Sequence, residues 1–298
     1  MIELAGATMG TMWRARIALA KGVEPDRLGA ALVARLDTLV DALSHWSPTS
    51  AVSRFNRAPA SSWHDVPPDL AALLAIAVPI WRASGGAFDP AIGALVDLWG
   101  FGPPGAKVPP DGAAVAAAAA RSGWLRLAWD SASGRLHQPG GVALDLSAIG
   151  KGYAADALAT VIAANGCRHF LVEVGGELVG SGLRPDGQPW WVELDAVPAI
   201  ALPPLRVALH RGAVATSGSY VRGPHNLDPR SGRPVAHEVI AVSVIAETGA
   251  VADGWASALL VLGRDAGLDY ATRERLAARF VTPAGEWLSP TLAGMIEE

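Results

Sequence analysis

The sequence predicts an α+β fold, because its candidate strands arrive in runs and do not alternate strictly with helices. At 298 residues, with 51% hydrophobic and 17% charged side chains, the chain can bury a sizeable core and is not intrinsically disordered. Its 33 glycines and 22 prolines are scattered without a period, so they mark turns. This length suits one large domain or two modest ones.

The first 120 residues carry one strand pattern and three helix patterns. Apolar residues alternate with arginines over residues 13–19, which is the period of a half-buried strand. Leucines recur at steps of four and three over residues 28–43, as on one face of an amphipathic helix. Further helices are predicted over residues 68–84 and 113–120. Residues 102–110 hold four prolines and two glycines, which predicts a surface loop and the best candidate for a domain seam.

Strand patterns dominate after residue 124. Strands are predicted over residues 124–129, 142–146, 170–174, 190–194, 205–209 and 239–246. Helices are predicted over residues 152–164, 252–262 and 268–280.

Charge and cysteine content exclude several classes of protein. The 24 basic and 28 acidic residues give a net charge of −4 without a basic stripe, so nucleic acid is not an expected partner. The single cysteine, Cys167, excludes an intramolecular disulfide and a thiolate zinc site.

The longest apolar run, residues 70–81, is too short to span a bilayer. No signal-peptide pattern opens the sequence, which predicts a cytoplasmic chain as written.

Residues 145–156 run from a predicted strand through glycines into a predicted helix. Free backbone N–H groups at such a helix start, together with Lys151, suit an anion. The alternative is an ordinary strand-to-helix turn with a solvated lysine, which this segment alone favours. The segment is not a phosphate-binding Walker loop, because Gly152 stands where that loop requires Ser or Thr.

Asp253 and Ser257 lie four residues apart on a predicted helix, so a carboxylate and a hydroxyl share one face. Hard oxygen ligands of this kind suit Mg²⁺. The alternative, equally supported by these residues alone, is that Asp253 caps the start of its helix and Ser257 is a buried hydroxyl.

Two further segments combine polar residues with glycine. Residues 215–220 end a predicted strand with small hydroxyls, which fits a phosphate or ribose site and also a plain polar turn. His225 precedes Asp228 and Arg230 in a proline-containing turn. Its ordinary pKa suits a general base, although a lone loop histidine is more often only solvated.

Taken in order, these segments resemble the ApbE family, the FAD:protein FMN transferases. The match spans residues 9 to about 263, and its specificity comes from the ordered set. The matching pieces are MGTM at 9–12, LSHWSP at 43–48, SRFN at 53–56, GGAFDP at 85–90, LWGFG at 98–102, DLSAIGKGYAAD at 145–156, VGGE at 174–177, ATSG at 215–218, HNLDPRSG at 225–232, and AD at 252–253 with its downstream hydroxyl.

The resemblance implies an enzyme that binds FAD and Mg²⁺ and transfers FMN to a Thr or Ser hydroxyl of an acceptor flavoprotein, such as a redox-complex subunit, releasing AMP. By the family's pattern, Asp253 and Ser257 are metal ligands together with the backbone carbonyl of Gly150. His225 matches the proposed base. Trp46 stands where an aromatic side chain can stack on flavin. The positions implied to bind FAD are Met9, Trp46, Asp89, Lys151, Asp156, Glu177, Thr216, Ser217 and Gly218, with Lys151 and Asp156 flanking the nucleotide.

The resemblance also implies one compact α+β domain over residues 1–298, with a mostly antiparallel sheet, packed helices and a central FAD cleft. Family members are often periplasmic, so we expect export if this sequence is a trimmed form. Three positions depart from the family: Ser257 replaces Thr, Gly150 replaces a frequent Ala, and Glu177 replaces Asp. Each keeps the functional group that the chemistry requires.

Two other functions remain open at this stage. In a hydrolase, water would replace the acceptor hydroxyl and FAD would be split into FMN and AMP. In a flavin-binding accessory protein, FAD would be held without turnover, although the presence of both Asp253 and His225 argues against this alternative.

Overall fold

The computed structural model describes residues 1–194, 197–198, 200–220, 223 and 225–296. Within these residues the strands are β1 (Ile2–Thr8), β2 (Thr11–Ala18), β3 (Ser62–Asp65), β4 (Ala128–Asp130), β5 (Arg135–Gln138), β6 (His169–Val174), β7 (Glu177–Ser181), β8 (Trp190–Glu193), β9 (Arg206–Leu209), β10 (Arg211–Gly218), β11 (Leu227–Asp228), β12 (Arg233–Pro234), β13 (Ala241–Ala246), β14 (Ala277–Thr282) and β15 (Gly285–Leu288). The helices are α1 (Pro25–Leu43), α2 (Ala51–Asn56), α3 (Pro68–Ala83), α4 (Gly93–Leu98), α5 (Gly112–Ala119), α6 (Gly150–Ala164), α7 (Gly249–Leu262), α8 (Arg264–Arg273) and α9 (Pro290–Ile296), with a 3₁₀ turn over Trp124–Arg126.

The α+β class is confirmed, and every strand pair in the sheets is antiparallel. The chain divides into two compact units. The first unit contains residues 1–38, 149–223 and 237–298, and the second contains residues 39–148 and 224–236. The predicted loop at 102–110 lies inside the second unit, so no unit boundary falls there. A single domain over residues 1–298 with a central FAD cleft stays a prediction.

The first unit is built on an eight-stranded sheet with the order β1-β2-β6-β7-β10-β13-β14-β15. Strand β2 shows the predicted alternation, with Trp13, Ala15 and Ile17 buried on one face. Helix α7 packs on β10 and β13, and helix α6 packs on β6 and β7. The hairpin of β8 and β9 adds Trp190 and Leu209 to a separate apolar cluster.

Helices α6 and α7 cross in backbone contact. A Cβ atom at Gly152 would lie 2.1 Å from the carbonyl oxygen of Gly249, and a Cβ at Gly249 would lie 2.5 Å from the carbonyl oxygen of Gly152. Real Cβ atoms do not approach other atoms so closely, so both positions require glycine. The crossing therefore brings the first turns of the two helices together.

In the second unit, helices α2–α5 accompany a three-stranded sheet with the order β3-β5-β4 and the short pair β11–β12. The predicted strand over residues 142–146 is wrong, although Val142 and Leu144 are buried as in a strand. Side-chain amides make the hydrogen bonds to this segment's backbone that a neighbouring strand would make in a sheet. Asn56 bonds both backbone groups of Leu144, at 2.8 and 2.9 Å, and Gln138 does the same for Val142, at 3.3 and 2.9 Å.

Two other predicted elements need correction. The strand predicted over residues 124–129 is the 3₁₀ turn followed by β4, which begins only at Ala128. The helix predicted over residues 268–280 ends at Arg273, and β14 follows. Arg275 has a φ of +54°, which ends the helical path. Strand β14 is buried throughout, so its apolar run cannot be told from a buried helix by periodicity.

Among the described residues, no helix combines the length and the apolar character that crossing a membrane requires.

The crossing gives a direct prediction for stability. Gly152→Ala should lower the free energy of unfolding by about 3 kcal/mol or more, because its methyl group meets rigid backbone. Gly150→Ala is the matched control two residues earlier on α6, where a Cβ would have no atom within 4 Å. Denaturant unfolding compares the two variants. Equal midpoints for both variants and the wild type would contradict so close a crossing.

Candidate active site

Polar residues of the first unit collect at one end of the eight-stranded sheet, where two hairpin turns lie side by side. Met9 and Gly10 join β1 to β2, and Gly175 and Gly176 join β6 to β7, all with positive φ. Such two-residue turns match the twist of the strands that they connect. Because β2 pairs with β6, the N–H of Gly175 donates to the carbonyl of Met12 at 2.9 Å.

Asp253 lies at this end of the sheet and is 2% exposed. Its Oδ2 accepts a hydrogen bond of 3.0 Å from the N–H of Gly152 at the start of α6. Its own helix, α7, begins at Gly249 and is capped by Thr248. Asp253 is therefore a cap, but of the neighbouring helix and not of its own.

Ser257 follows Asp253 by one turn of α7, as the spacing predicts. Its hydroxyl lies 2.9 Å from the hydroxyl of Ser217 on β10. Thr216 points to the other face of the sheet, where its hydroxyl lies 2.8 Å from that of Ser243. At the end of β10, Gly218 accommodates the ring of Tyr220, which a Cβ would meet at 2.4 Å.

Lys151 and Glu177 form a short ion pair, with Lys151 Nζ 2.5 Å from Glu177 Oε1. Lys151 also passes over the turn at Gly175, where a Cβ would lie 3.0 Å from Lys151 Cδ. Burial raises the pKa of Glu177 to about 8, the charge of Lys151 opposes this rise, and the charge of Asp253 adds to it. Among the described residues, the second carboxylate oxygen of Glu177 is buried without a hydrogen-bond partner.

Asp156 uses both carboxylate oxygens on the start of α7. Oδ1 accepts the N–H of Gly249 at 2.7 Å, and Oδ2 accepts the N–H of Ala250 at 2.9 Å. Its predicted place beside a nucleotide stays a prediction.

The residues around Asp253 fit a magnesium ion. The buried carboxylate of Asp253 and the hydroxyl of Ser257 are hard oxygen donors, and Gly150, the third predicted ligand, is the first residue of α6. Within the described part of the chain, no group of three or more His, Cys, Asp or Glu side chains could hold a metal ion. Mg²⁺ keeps several coordination positions for water and phosphate, so one carboxylate with neutral oxygen donors is a ligand set that it accepts.

The second unit contains the three remaining predicted residues: Trp46, Asp89 and His225. Trp46 is 58% exposed, with its ring centroid 5.5 Å from that of His45. Asp89 accepts backbone hydrogen bonds from Ala91 at 2.8 Å and Trp124 at 3.0 Å, and burial raises its pKa. The carboxylate of Asp89 therefore connects two stretches of its own unit.

His225 precedes β11, and its ring forms a T-shaped pair with the ring of Phe101, with centroids 6.5 Å apart. Both carboxylate oxygens of Asp228 accept hydrogen bonds from the guanidinium of Arg230, at 2.9 and 3.0 Å. The guanidinium of Arg230 occupies both carboxylate oxygens of Asp228, which leaves the imidazole of His225 as the candidate base of this turn.

Two features of the site had no usable sequence signal. The pairing of Gly152 with Gly249 depends on which helices cross, and 97 residues separate the two glycines. His45 Nδ1 lies 3.7 Å from Asp145 Oδ1 in the second unit, and the sequence shows only that both belong to family-like segments.

Comparison with known proteins identifies the family. A model described as the ApbE family matches residues 9–280. The FAD:protein FMN transferase of Klebsiella pneumoniae (strain 342) is 36% identical over 310 residues, covering 96% of this chain and 87% of that protein. The FAD:protein FMN transferase of Escherichia coli (strain K12) is 34% identical over 314 residues, with the same coverage.

Solved structures agree with these relatives. The Pseudomonas stutzeri flavinyl transferase ApbE, apo form, has a TM-score of 0.92 and 34% identity, covering 98% of this chain and 96% of that one. The flavin transferase ApbE from Vibrio cholerae has a TM-score of 0.90 and 29% identity, covering 98% of each chain. The matched proteins form a class of transferases, so the predicted enzyme class is confirmed at the level of the family. This chain belongs to the ApbE family.

The raised pKa of Glu177 predicts a pH effect on stability. Between its ordinary value of 4.5 and about 8, the folded chain keeps a proton that the unfolded chain has released, so stability falls as the pH rises through this window. In magnesium-free buffer, the Tm of the wild type should fall more steeply than that of Glu177→Gln from about pH 5 to about pH 8. Scanning fluorimetry measures both slopes, with the exposed Glu24→Gln as control; equal slopes for wild type and Glu177→Gln would contradict the raised pKa.

Proposed function

We propose that this chain is a Mg²⁺-dependent FAD:protein FMN transferase. A Thr or Ser hydroxyl of an acceptor flavoprotein, such as a redox-complex subunit, attacks the phosphorus of the FMN half of FAD. One P–O bond forms to the acceptor, the P–O bond to AMP breaks, and the hydroxyl proton passes to a base. The observation that carries the proposal is the buried Asp253 carboxylate beside the paired hydroxyls of Ser217 and Ser257.

Asp253, Ser257 and the carbonyl of Gly150 would hold the metal ion. When bound, Mg²⁺ draws negative charge from the pyrophosphate during attack at phosphorus. The hydrogen bond from Gly152 fixes one carboxylate oxygen of Asp253, and a carboxylate has further lone pairs for a cation. The free lone pairs of the Asp253 carboxylate therefore support its role as the one charged ligand of the metal ion.

The remaining roles follow the chemistry of each side chain. His225 would take the proton of the acceptor hydroxyl, since the carboxylate of Asp228 is held by Arg230. The exposed ring of Trp46 would stack on the isoalloxazine of FAD. The other residues proposed to line the FAD site are Met9, Asp89, Lys151, Glu177, Thr216, Ser217 and Gly218.

One incubation tests the proposed function. The chain is mixed with FAD, Mg²⁺ and an acceptor domain, and with the same domain after its acceptor Thr is changed to Val. In-gel flavin fluorescence on the Thr form only, with AMP release, supports transfer. AMP release without protein-bound flavin indicates a pyrophosphatase, and FAD binding without AMP indicates an accessory protein; either result overturns the proposal.

The metal role predicts different effects for the charged and the neutral ligand. Asp253→Asn keeps an acceptor for the Gly152 N–H but removes the charge, so turnover should fall at least about a hundredfold while the fold is retained. Ser257→Ala should raise the Mg²⁺ concentration that gives the half-maximal rate by about tenfold. This change corresponds to a loss of about 1.4 kcal/mol in the free energy of Mg²⁺ binding. Rates over a Mg²⁺ titration measure both. Wild-type activity of Asp253→Asn at limiting Mg²⁺ would refute the assignment.

The base role predicts that His225→Ala loses transfer and keeps FAD. Its rate should fall by about a hundred- to ten-thousandfold, because a hydroxyl is a poor nucleophile near neutral pH. Quenching of flavin fluorescence should show nearly normal FAD affinity, and the wild-type rate should rise through a pKa that the variant lacks. His210→Ala, at an exposed histidine, is the control. A parallel loss of FAD affinity and rate would assign His225 to binding.

A further inference from the structure

Helices α6 and α7 cap each other through carboxylates. Asp253, in the second turn of α7, accepts the Gly152 N–H at the start of α6. Asp156, in the second turn of α6, accepts the N–H groups of Gly249 and Ala250 at the start of α7. The first N–H groups of a helix have no partner inside the helix, and a negative charge there is stabilising. The exchange is therefore reciprocal and electrostatically favourable at both ends.

Asp156 supplies the charge that the start of α7 otherwise lacks. The first turn of α7 contains no acidic residue, and its own cap is the hydroxyl of Thr248, which accepts from Val251 at 3.4 Å. Asp156 binds two N–H groups at shorter distances, 2.7 and 2.9 Å. Asp156 therefore makes the shorter side-chain hydrogen bonds to the first turn of α7.

The start of α7 determines where the candidate metal ligands lie. Asp253 is four residues beyond Gly249, and Ser257 is one turn further, so a shift of the first turn moves both side chains. The two helices are in backbone contact at Gly152 and Gly249, so no space separates them there. A substitution of Asp156 that displaces the first turn of α7 would therefore also displace Asp253 and Ser257, because a helix moves as a rigid element.

We propose that Asp156 is a positioning residue, which holds the start of α7 on α6 so that Asp253 and Ser257 face a common cation, and does not bind FAD. This inference rests on the proposed function, since it presumes the metal role of Asp253. This role differs from the one that the resemblance to the ApbE family implies, in which Asp156 flanks the nucleotide. Both carboxylate oxygens of Asp156 are already used on backbone N–H groups.

Asp156→Asn separates positioning from nucleotide binding. The amide keeps one acceptor oxygen but turns an NH₂ donor toward a backbone N–H donor, which disturbs the first turn of α7. Two affinities are measured: Mg²⁺ alone, from the Mg²⁺-dependent rise in Tm, and FAD alone in EDTA, from flavin fluorescence. We expect the Mg²⁺ concentration for the half-maximal shift to rise about tenfold with unchanged FAD affinity, and excess Mg²⁺ to restore the rate of transfer.

Asp111→Ala is the matched control for simple loss of a cap. Asp111 caps α5 in the second unit by accepting the Ala114 N–H at 2.7 Å, and its loss should lower the Tm without changing either affinity. If Asp156→Asn behaves like this control, Asp156 is only a cap and the proposal fails. If it weakens FAD binding and leaves Mg²⁺ binding unchanged, Asp156 contacts the nucleotide and the proposal also fails.

Two further measurements complete the test. If Asp156→Asn does not fold, Asp156→Glu keeps the charge but displaces the start of α7 by its extra methylene; weaker Mg²⁺ binding with normal FAD binding supports the proposal, and normal Mg²⁺ binding overturns it. A wild-type chain without any Mg²⁺-dependent shift overturns the metal role itself. If the wild type shows the Mg²⁺-dependent shift in Tm and the Asp156 variant shows the same shift at the same Mg²⁺ concentrations, only the positioning role is overturned.

Discussion

The candidate site of the first unit depends on one backbone contact, the crossing of α6 and α7 at Gly152 and Gly249. Only glycine allows the carbonyl of one helix to approach the Cα of the other so closely. This approach lets a side chain from each helix reach the N–H groups of the other, so Asp156 and Asp253 can both be satisfied while they are largely removed from water. With larger residues at the crossing, neither carboxylate would reach its partners.

The same end of the sheet shows how buried charge is tolerated. Asp253 is stabilised by a backbone N–H, and Glu177 by the ammonium of Lys151. Glu177 nevertheless keeps a buried oxygen without a partner among the described residues, and its pKa is raised. Buried polar groups without partners are costly, and they concentrate at sites that bind or react. The stability of this region therefore depends on its charges and on any cation that it holds.

The second unit uses side chains where a sheet would use strands. Asn56 and Gln138 bond the buried segment around Leu144 as a neighbouring strand would. The carboxylate of Asp89 accepts the N–H groups of Ala91 and Trp124 and so connects its own loop to the 3₁₀ turn. The turn after His225 is closed by Asp228 and Arg230. Fixed polar contacts of this kind hold the loop at Asp89 and the turn that follows His225.

The α+β class, the amphipathic helix ending at Leu43, the strand around Ala15 and the family could all be predicted from the sequence, because they follow from local periodicity and from ordered motifs. The hydrogen-bond partners of the polar side chains became known only from the folded structure. Sequence spacing placed Asp253 and Ser257 on one helix, but only the crossing of α6 and α7 showed that Asp253 caps the other helix and that Asp156 caps α7. The reason is physical: a hydrogen bond between residues about a hundred positions apart depends on how helices pack, and no local pattern encodes that packing.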